Sequence, residues 1–292
     1  MDQSNRNTIN LEQAKVLSQQ SFEGDQYIIR LQCPQTARDA KPGNFVHLRC
    51  DENLLMRRPM SIMRADPVHG WIDILYKAHG LGTHLLAKRQ IGDELSMLGP
   101  IGVPFRMHGY RKYPLLIGGG VGIPPMVYLA EHLKKNAPDS KPIMLAGSEV
   151  PFPFTPVPSR TLIEGMPDGV IATMPLMEDW SIACRLASLQ GYAGCYQGYV
   201  TDLARAWLTN RGSDILDQVE IFSCGPTPML KAVARLAADF GLPCQVSLEE
   251  HMACAVGGCA GCTVEVRTDT GIAMKRVCVD GPVFEASTVF NS

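Results

Sequence analysis

Cys254, Cys259 and Cys262 stand in a C-x4-C-x2-C run, and Cys278 follows after fifteen further residues. That is the plant-type spacing by which four thiolates hold a [2Fe-2S] cluster. Three ligands from one short loop must converge on a small anionic group, so the backbone has to curl closely around it. Gly257, Gly258 and Gly261 are expected to permit that curl, because glycine tolerates positive φ and close approach. Their amides, with those of Ala255 and Ala260, are expected to donate to the sulfurs. Thr263–Arg267 and Ala273–Val279 flank an Asp269-Thr270-Gly271 turn, which reads as a hairpin whose second strand returns Cys278 to the site. The rival is a structural zinc site of four thiolates. Zinc sites more often use paired C-x2-C knuckles, and this segment has one. The other six cysteines (Cys33, Cys50, Cys184, Cys195, Cys224 and Cys244) are dispersed and read as small buried apolar residues.

A second set of residues lies upstream. Arg57-Arg58-Pro59-Met60-Ser61 offers a cation for a pyrophosphate and a small hydroxyl for a flavin ring, the rival being a turn with a solvated arginine. Tyr76-Lys77-Ala78-His79-Gly80-Leu81-Gly82-Thr83 supplies glycine amides and a hydroxyl ahead of a helix expected to start at Leu85 and Leu86, a natural phosphate site. Gly118-Gly119-Gly120-Val121-Gly122-Ile123-Pro124 is a glycine turn that taken alone is equally a packing turn, since it is not the G-x-G-x-x-G fingerprint with its acidic partner. Ala146-Gly147-Ser148-Glu149 has no arginine for a 2′-phosphate, and Glu149 could accept from a ribose diol, which favours NAD over NADP; a solvated loop carboxylate is the rival.

These residues need elements to position them. From residue 11 to about 107, alternating runs such as Tyr27–Leu31, Phe45–Leu48 and Trp71–Tyr76, separated by Gly, Pro and Asp turns, predict an antiparallel β-barrel, closed by Gly92–Phe105. From Tyr113 the order becomes strand (Pro114–Ile117), glycine turn, helix (through Leu133) and strand (Ile143–Ala146). Val219–Ser223, Cys224-Gly225-Pro226 and a helix from Met229 to Phe240 repeat it, which predicts a parallel α/β domain. Between them, Pro151–Pro158 carries closely spaced prolines and cannot hold a helix or a central strand; it reads as an ordered surface loop or a contact surface. The expected fold class is therefore β plus α/β, with three domains: residues 1–108, 109–243 with an atypical insertion at about 149–193, and 244–292.

Composition sets outer limits. With 46% hydrophobic and 19% charged residues and a formal net charge of −2, the chain has the make-up of a globular protein and no electrostatic footprint for nucleic acid. The polar start, MDQSNRNTIN, lacks a signal-peptide core, and no apolar stretch reaches the length of a membrane span, so a cytoplasmic location is expected. The seven histidines (47, 69, 79, 84, 108, 132 and 251) form no metal-binding pair. His79 and His84 are expected at the surface, and His251 in a structural hydrogen bond. No nucleophile elbow is present and no catalytic acid or base is expected.

The order of motifs (R-P-x-S, G-x-G-T, G-D-x-L-x-x-x-G-P-x-G, G-G-G-x-G-I-x-P and C-G-P-x-x-M) resembles the ferredoxin-NADP reductase superfamily. With the C-terminal cysteine pattern, the chain resembles the electron-transfer subunits of dihydroorotate dehydrogenase complexes over about residues 11–285. The resemblance implies FAD at Arg58, Pro59, Ser61, Lys77, Gly80, Gly82 and Thr83. It implies a pyridine nucleotide, NAD as diffusible co-substrate, at Gly118, Gly119, Gly120, Gly122, Pro124, Cys224, Gly225 and Pro226, with a [2Fe-2S] cluster on Cys254, Cys259, Cys262 and Cys278. It further implies an FMN-containing dihydroorotate dehydrogenase catalytic subunit as partner, in a hetero-oligomer with two copies of each, and a place in pyrimidine (UMP) biosynthesis. Reductase subunits of hydrogenase, sulfide dehydrogenase or transhydrogenase complexes share the architecture, and a zinc-stabilised regulatory subunit is the alternative from another class.

Overall fold

Inward and outward side chains alternate along the first strand. Glu12, Ala14 and Val16 are buried, while Leu11, Gln13 and Lys15 face out, the period-2 pattern of a half-buried strand. The computed structural model describes residues 9–106 and 109–290, so the polar N-terminal segment, His108 and the expected boundary at 108/109 lie outside the described residues. Two compact units result. One comprises the chain up to Phe105 together with Ser247–Phe284, the other Arg106–Val246 together with the residues from Glu285 onward.

The first unit begins with β1 (Asn10–Phe22), β2 (Gln26–Gln32), α1 (Pro34–Asp39), β3 (Phe45–Leu48), β4 (Arg58–Ser61), β5 (Arg64–Asp66), β6 (Trp71–Lys77), α2 (Leu81–Leu86) and β7 (Glu94–Ile101). The seven strands form one antiparallel sheet in the order β4-β3-β7-β1-β2-β6-β5. Val16, Ile29, Leu31, Val46, Leu48, Ile72, Ile74 and Met97 are fully buried. Asp73 on β6 receives both Nε and Nη2 of Arg30 on β2, at 2.7 and 2.8 Å, a bidentate pair that fixes their register. The helix expected to start at Leu85 ends there instead: α2 opens at Leu81, directly after Gly80.

The second unit contains β8 (Tyr113–Gly119), a 3-10 turn at Gly120–Gly122, α3 (Ile123–Asn136), β9 (Ile143–Gly147), β10 (Val157–Pro158), β11 (Ala172–Thr173), α4 (Pro175–Asp179), β12 (Ala183–Ser188), β13 (Tyr196–Gln197), α5 (Val200–Thr209), α6 (Ser213–Leu216), β14 (Val219–Cys224), α7 (Thr227–Asp239) and β15 (Cys244–Ser247). Six strands lie in the order β13-β12-β9-β8-β14-β15, and the pairs from β13 to β14 run parallel. α3 packs on β8, β9 and β14, while α5 packs on β8, β9 and β12 and touches α7. The stretch of about 149–193, expected as an atypical insertion, contributes β12 to this sheet, next to β9. The Pro-rich stretch stays irregular except at Val157-Pro158, which pair with Ala172-Thr173 in a separate two-stranded ribbon.

The chain then returns to the first unit. β16 (Thr263–Thr268) and β17 (Gly271–Arg276) form the expected hairpin, followed by one helical turn, α8 (Val277–Asp280). The segment seats itself through Met252, Ala255, Cys262, Val277 and Cys278, which pack with Phe45 of β3 and Ile101 of β7 in one buried cluster. Backbone contacts add to this: Val103 N–H donates to Gly281 at 2.6 Å, and a Cβ on Gly102 would lie 2.4 Å from Pro282. Among the described residues no helix is long and apolar enough to cross a membrane.

Candidate functional site

The cysteine loop is shaped by left-handed residues at positions the spacing did not single out. Gly257 has φ +83°, as expected, but the other two left-handed residues are Ala255 (φ +56°) and Ala260 (φ +54°), whereas Gly258 and Gly261 are not left-handed. Non-glycine residues bear a steric cost there, which the packing of Ala255 into the buried cluster helps to hold. The curl turns amides onto sulfurs. Cys259 N–H donates to Cys254 Sγ and Gly261 N–H to Cys259 Sγ, each at 3.4 Å. Burial opposes ionisation of Cys254, yet the amides of Val256, Cys259 and Gly258, helped by the Cys259 side chain, outweigh it and bring the thiol down to about 7. At Cys278 burial wins, reinforced by Cys262, and its thiol is pushed up to about 12.

Cys259 acts on Cys254, and both Cys262 and Cys254 act on Cys278. Cys278 lies on α8, two residues past the end of β17, rather than on the strand as expected. A strand would have alternated its side chain between faces, whereas the helical turn lets Val277 and Cys278 both enter the buried cluster. Among the described residues no group of three or more His, Cys, Asp or Glu side chains is gathered about one point as a single ion requires. The four cysteines nonetheless share one short segment, with Cys254 and Cys259 on the loop and Cys262 and Cys278 in the buried cluster, and four thiolates are the donor set that a [2Fe-2S] group takes.

Arg276 completes the loop, and sequence reasoning passed over it. Its Nη1 donates to the Gly257 carbonyl at 2.9 Å, and its backbone N–H donates to Asp280 at 2.8 Å. The signal was available as a cation two residues before the last cysteine.

The paired arginines of β4 and the loop before it separate in role. Arg57 is bound to the barrel, donating to Ser96 O at 2.6 Å and Ser96 Oγ at 2.8 Å. Among the described residues Arg58 donates from Nη1 to the local carbonyls of Met56 and Arg57, while its Nε side lies against Gly82, where a Cβ would sit 3.1 Å away. R-P-x-S and G-x-G-T, twenty-odd residues apart, therefore meet at Arg58 and Gly82. Thr83 Oγ1 accepts from the amides of His79 (3.0 Å) and Gly80 (3.2 Å) and donates to Gly80 O (3.1 Å). Its hydroxyl shapes the turn, which leaves the amides at the start of α2, rather than the hydroxyl, for an anion. Ser61 ends β4 opposite Phe45, and Lys77 ends β6 opposite Gln26. His79, His84 and His251 are exposed.

In the second unit the two glycine loops lie side by side because their strands do. β8 and β14 are parallel neighbours: the chain goes from β8 to β9 on one side and outward to β12 and β13, then returns to β14 on the other side of β8. Such a switch point opens a crevice at the carboxyl ends of the strands. Gly118 and Gly119 end β8, Gly120 and Gly122 form the 3-10 turn, and Pro124 lies in the first turn of α3. A Cβ on Gly122 would lie 2.3 Å from the Cys224 carbonyl oxygen, and one on Gly119 2.4 Å from Met229 Sδ. Gly225 has φ +158° and borders Gly119, with Pro226 capping α7. Glu149 is exposed after β9, its backbone carbonyl accepting from Gln190 Nε2 at 3.4 Å.

Residues 249–290 match a family model described as the iron-sulfur cluster binding domain of dihydroorotate dehydrogenase B. The chain is 32% identical over 279 residues to the dihydroorotate dehydrogenase B (NAD(+)) electron transfer subunit of Shouchella clausii (strain KSM-K16), covering 94% of this chain and 96% of the relative. Identity is also 32% to the subunit of the same name from Caldanaerobacter subterraneus subsp. tengcongensis, over 94% of this chain and 97% of the relative. Among solved structures, a chain of the NADH-dependent reduced ferredoxin-NADP oxidoreductase, studied for flavin-based electron bifurcation, aligns with a TM-score of 0.75. It is 26% identical and the alignment covers 96% of this chain and 90% of that one. The fold is that of the ferredoxin-NADP reductases, as the motif order implied.

Proposed function

The chain belongs to the family of dihydroorotate dehydrogenase B electron transfer subunits, and we propose that it passes electrons between an FMN-bearing dihydroorotate dehydrogenase catalytic subunit and NAD in pyrimidine biosynthesis. The observation that carries this reading is the burial of Cys262 and Cys278 against Phe45 and Ile101 of the barrel. It joins a cysteine loop and a flavin-type barrel in one compact unit. When bound, FAD and a [2Fe-2S] cluster together supply the change from two-electron hydride exchange to single-electron transfer.

The protein's own residues bind and orient. Arg58 offers its guanidinium to the pyrophosphate beside the Gly80-Leu81-Gly82-Thr83 turn, and Pro59, Ser61 and Lys77 line the rest of the FAD site. Gly118, Gly119, Gly120, Gly122 and Pro124, with Cys224, Gly225 and Pro226, receive the pyridine nucleotide, which can approach closely because the loops lack side chains. Cys254, Cys259, Cys262 and Cys278 would hold the [2Fe-2S] cluster. No side chain is assigned as acid or base, and dihydroorotate is oxidised on the partner. By role the segments are a flavin barrel (1–108), a nucleotide domain (109–243) and a cluster segment (244–292), working in the cytoplasm as a hetero-oligomer with the catalytic subunit. Val256 in the cysteine loop and Ile272 and Met274 on β17 are exposed apolar residues of the same segment, suited to docking that subunit.

Co-expression with the catalytic subunit tests the proposal. A stable complex that contains FAD and two irons per chain, and reduces NAD(+) with dihydroorotate, is the expected result. A complex that turns over dihydroorotate without iron or FAD in this chain would sink it. The alignment with the ferredoxin-NADP oxidoreductase supports a second reading, a reductase subunit for another NAD(P)H-linked complex. Purification with a different redox partner and failure to bind the dihydroorotate enzyme would favour that one.

A further inference from the structure

The loop between β3 and β4, residues 49–57, delivers Arg58 to the first position of β4. Just ahead of Arg58 it buries little: Leu55 is 89% and Met56 47% exposed. A segment with so little packing keeps its course through hydrogen bonds. Within the loop, Arg49 donates from Nε to the Leu54 carbonyl at 3.2 Å and from Nη2 to the Glu52 carbonyl at 2.6 Å. Asp51 Oδ1 accepts from the Asn53 N–H at 2.9 Å. These bonds set the curvature of the loop, not its place on the barrel.

Arg89, just past the end of α2, supplies that place. It donates from Nε to the Cys50 carbonyl at 3.1 Å and from Nη2 to Asp51 Oδ2 at 2.7 Å, with both side chains of the ion pair about one-fifth exposed. A planar fork on two acceptors fixes direction as well as distance. Arg89 is anchored in turn from the far side. Gln19 of β1 shares its Nε2 among the carbonyls of Leu86 (3.3 Å), Ala87 (3.0 Å) and Arg89 (3.2 Å), groups left open where a helix ends. Its Oε1 accepts from the Tyr76 hydroxyl at 3.0 Å, and the Tyr76 ring stacks on Tyr27 at 5.4 Å between centroids. A helix of six residues is too short to stand alone, and this one is bound to β1 and β6 at its last turn.

The two ends of α2 therefore meet the two ends of one loop. At its start, a Cβ on Gly82 would meet Nε, Cζ and Nη2 of Arg58 at 3.1, 3.3 and 3.3 Å, so the guanidinium lies along the glycine. Past its end, Arg89 grips Cys50 and Asp51. Nη1 of Arg58 is held by the Met56 and Arg57 carbonyls, which move with the loop. We propose that Arg89, through its ion pair with Asp51, is a positioning residue that holds Arg58 beside Gly82 before the flavin arrives, so that the guanidinium is already placed for the pyrophosphate. The inference rests on the flavin site proposed above. Arg89 itself touches no cofactor; it spares the ordering of Arg58 and its loop on binding.

The test titrates FAD into the flavin-free full chain as wild type, Arg89→Met, Arg58→Ala and the double variant, with a thermal melt of each. Met keeps an apolar stem and removes the fork. Arg89→Met alone is expected to raise the Kd for FAD roughly three- to tenfold, the cost of ordering Arg58 and its loop on binding. In the Arg58→Ala background the same exchange is expected to change the Kd by less than about twofold, because the group it positions is gone. An unchanged Kd in the single variant overturns the proposal. So does an equal loss in both backgrounds, the mark of a general structural role. Should Arg89→Met fail to fold, Asp51→Asn decides by the same cycle, since it keeps an Oδ1 acceptor for Asn53 and removes the charge that faces Arg89. If the wild type binds no FAD, or Arg58→Ala binds it as tightly, the flavin reading fails and the proposal with it; with that reading intact, additivity overturns the proposal alone.

Discussion

Arg276 Nη1 donates to the carbonyl of Gly257 at 2.9 Å, which ties the last residue of the hairpin to the middle of the cysteine loop, nineteen positions earlier. Asp280 accepts from the Arg276 backbone N–H at 2.8 Å, so both ends of the residue are held. Hydrogen bonds from charged groups contribute about 1.5–3 kcal/mol. Arg276→Ala is expected to lower the iron content of purified protein and hasten bleaching of its visible absorption, with flavin retained. Equal iron retention in wild type and variant would show that the tie is dispensable.

Gly257 and Gly258 are neighbours with opposite tolerances. At Gly257, φ is +83° and a Cβ would lie 2.5 Å from Val279 Cγ2. At Gly258 a Cβ meets nothing within 4 Å. Gly257→Ala is expected to cost about 1–2 kcal/mol or more in strain and to impair cluster assembly, whereas Gly258→Ala assembles normally. Iron-to-protein ratios for the two variants check this directly.

Arg57 and Arg58 should separate on mutation. Arg58→Ala is expected to weaken FAD binding by roughly ten- to a hundredfold, since a charge-assisted contact to a phosphate is lost. Arg57→Ala removes its two bonds to Ser96 and is expected to lower the melting temperature instead. Flavin titration of both apoproteins and thermal melts distinguish the two effects.

In the nucleotide domain, Gly122→Ala places a methyl 2.3 Å from the Cys224 carbonyl oxygen, a backbone atom that cannot swing aside. The KM for NAD(+) should rise at least about tenfold, the equivalent of about 1.4 kcal/mol, while iron and flavin content stay unchanged. An unaltered KM would detach this loop from nucleotide binding.

Glu178 gives a pH dependence with a definite sign. Burial pushes its carboxyl up, but the Arg160 amide, the Arg160 side chain and Ser159 outweigh it, and the net direction is below the usual glutamate value of 4.5. The carboxylate's contribution is therefore present above pH 4.5 and lost as pH falls below it. Glu178→Gln should be destabilised at pH 7 and show a flatter fall in urea midpoint on acidification than wild type.

The parts that were legible from sequence were those where one residue type leaves few choices. The Asp269-Thr270-Gly271 turn between two short runs gave the hairpin, and alternation gave β2, β3 and β6 close to their ends. β12 escaped because Arg185 interrupts its apolar run: that side chain is buried, with Nη2 donating to the Thr161 carbonyl at 2.7 Å, so a central strand resembles a polar stretch. The left-handed positions at Ala255 and Ala260 escaped because such backbone favours glycine; at Ala255 packing into the buried cluster overrides that preference.

The unit that holds the cysteines is completed by residues 247–284, although its barrel strands end before residue 106. During synthesis, at ~5–20 residues per second, the barrel emerges on the order of ten seconds before the segment that covers Phe45 and Ile101. In that interval an apolar face of the barrel is open to the cell. Iron delivery, which needs all four cysteines, must wait until Cys278 has emerged.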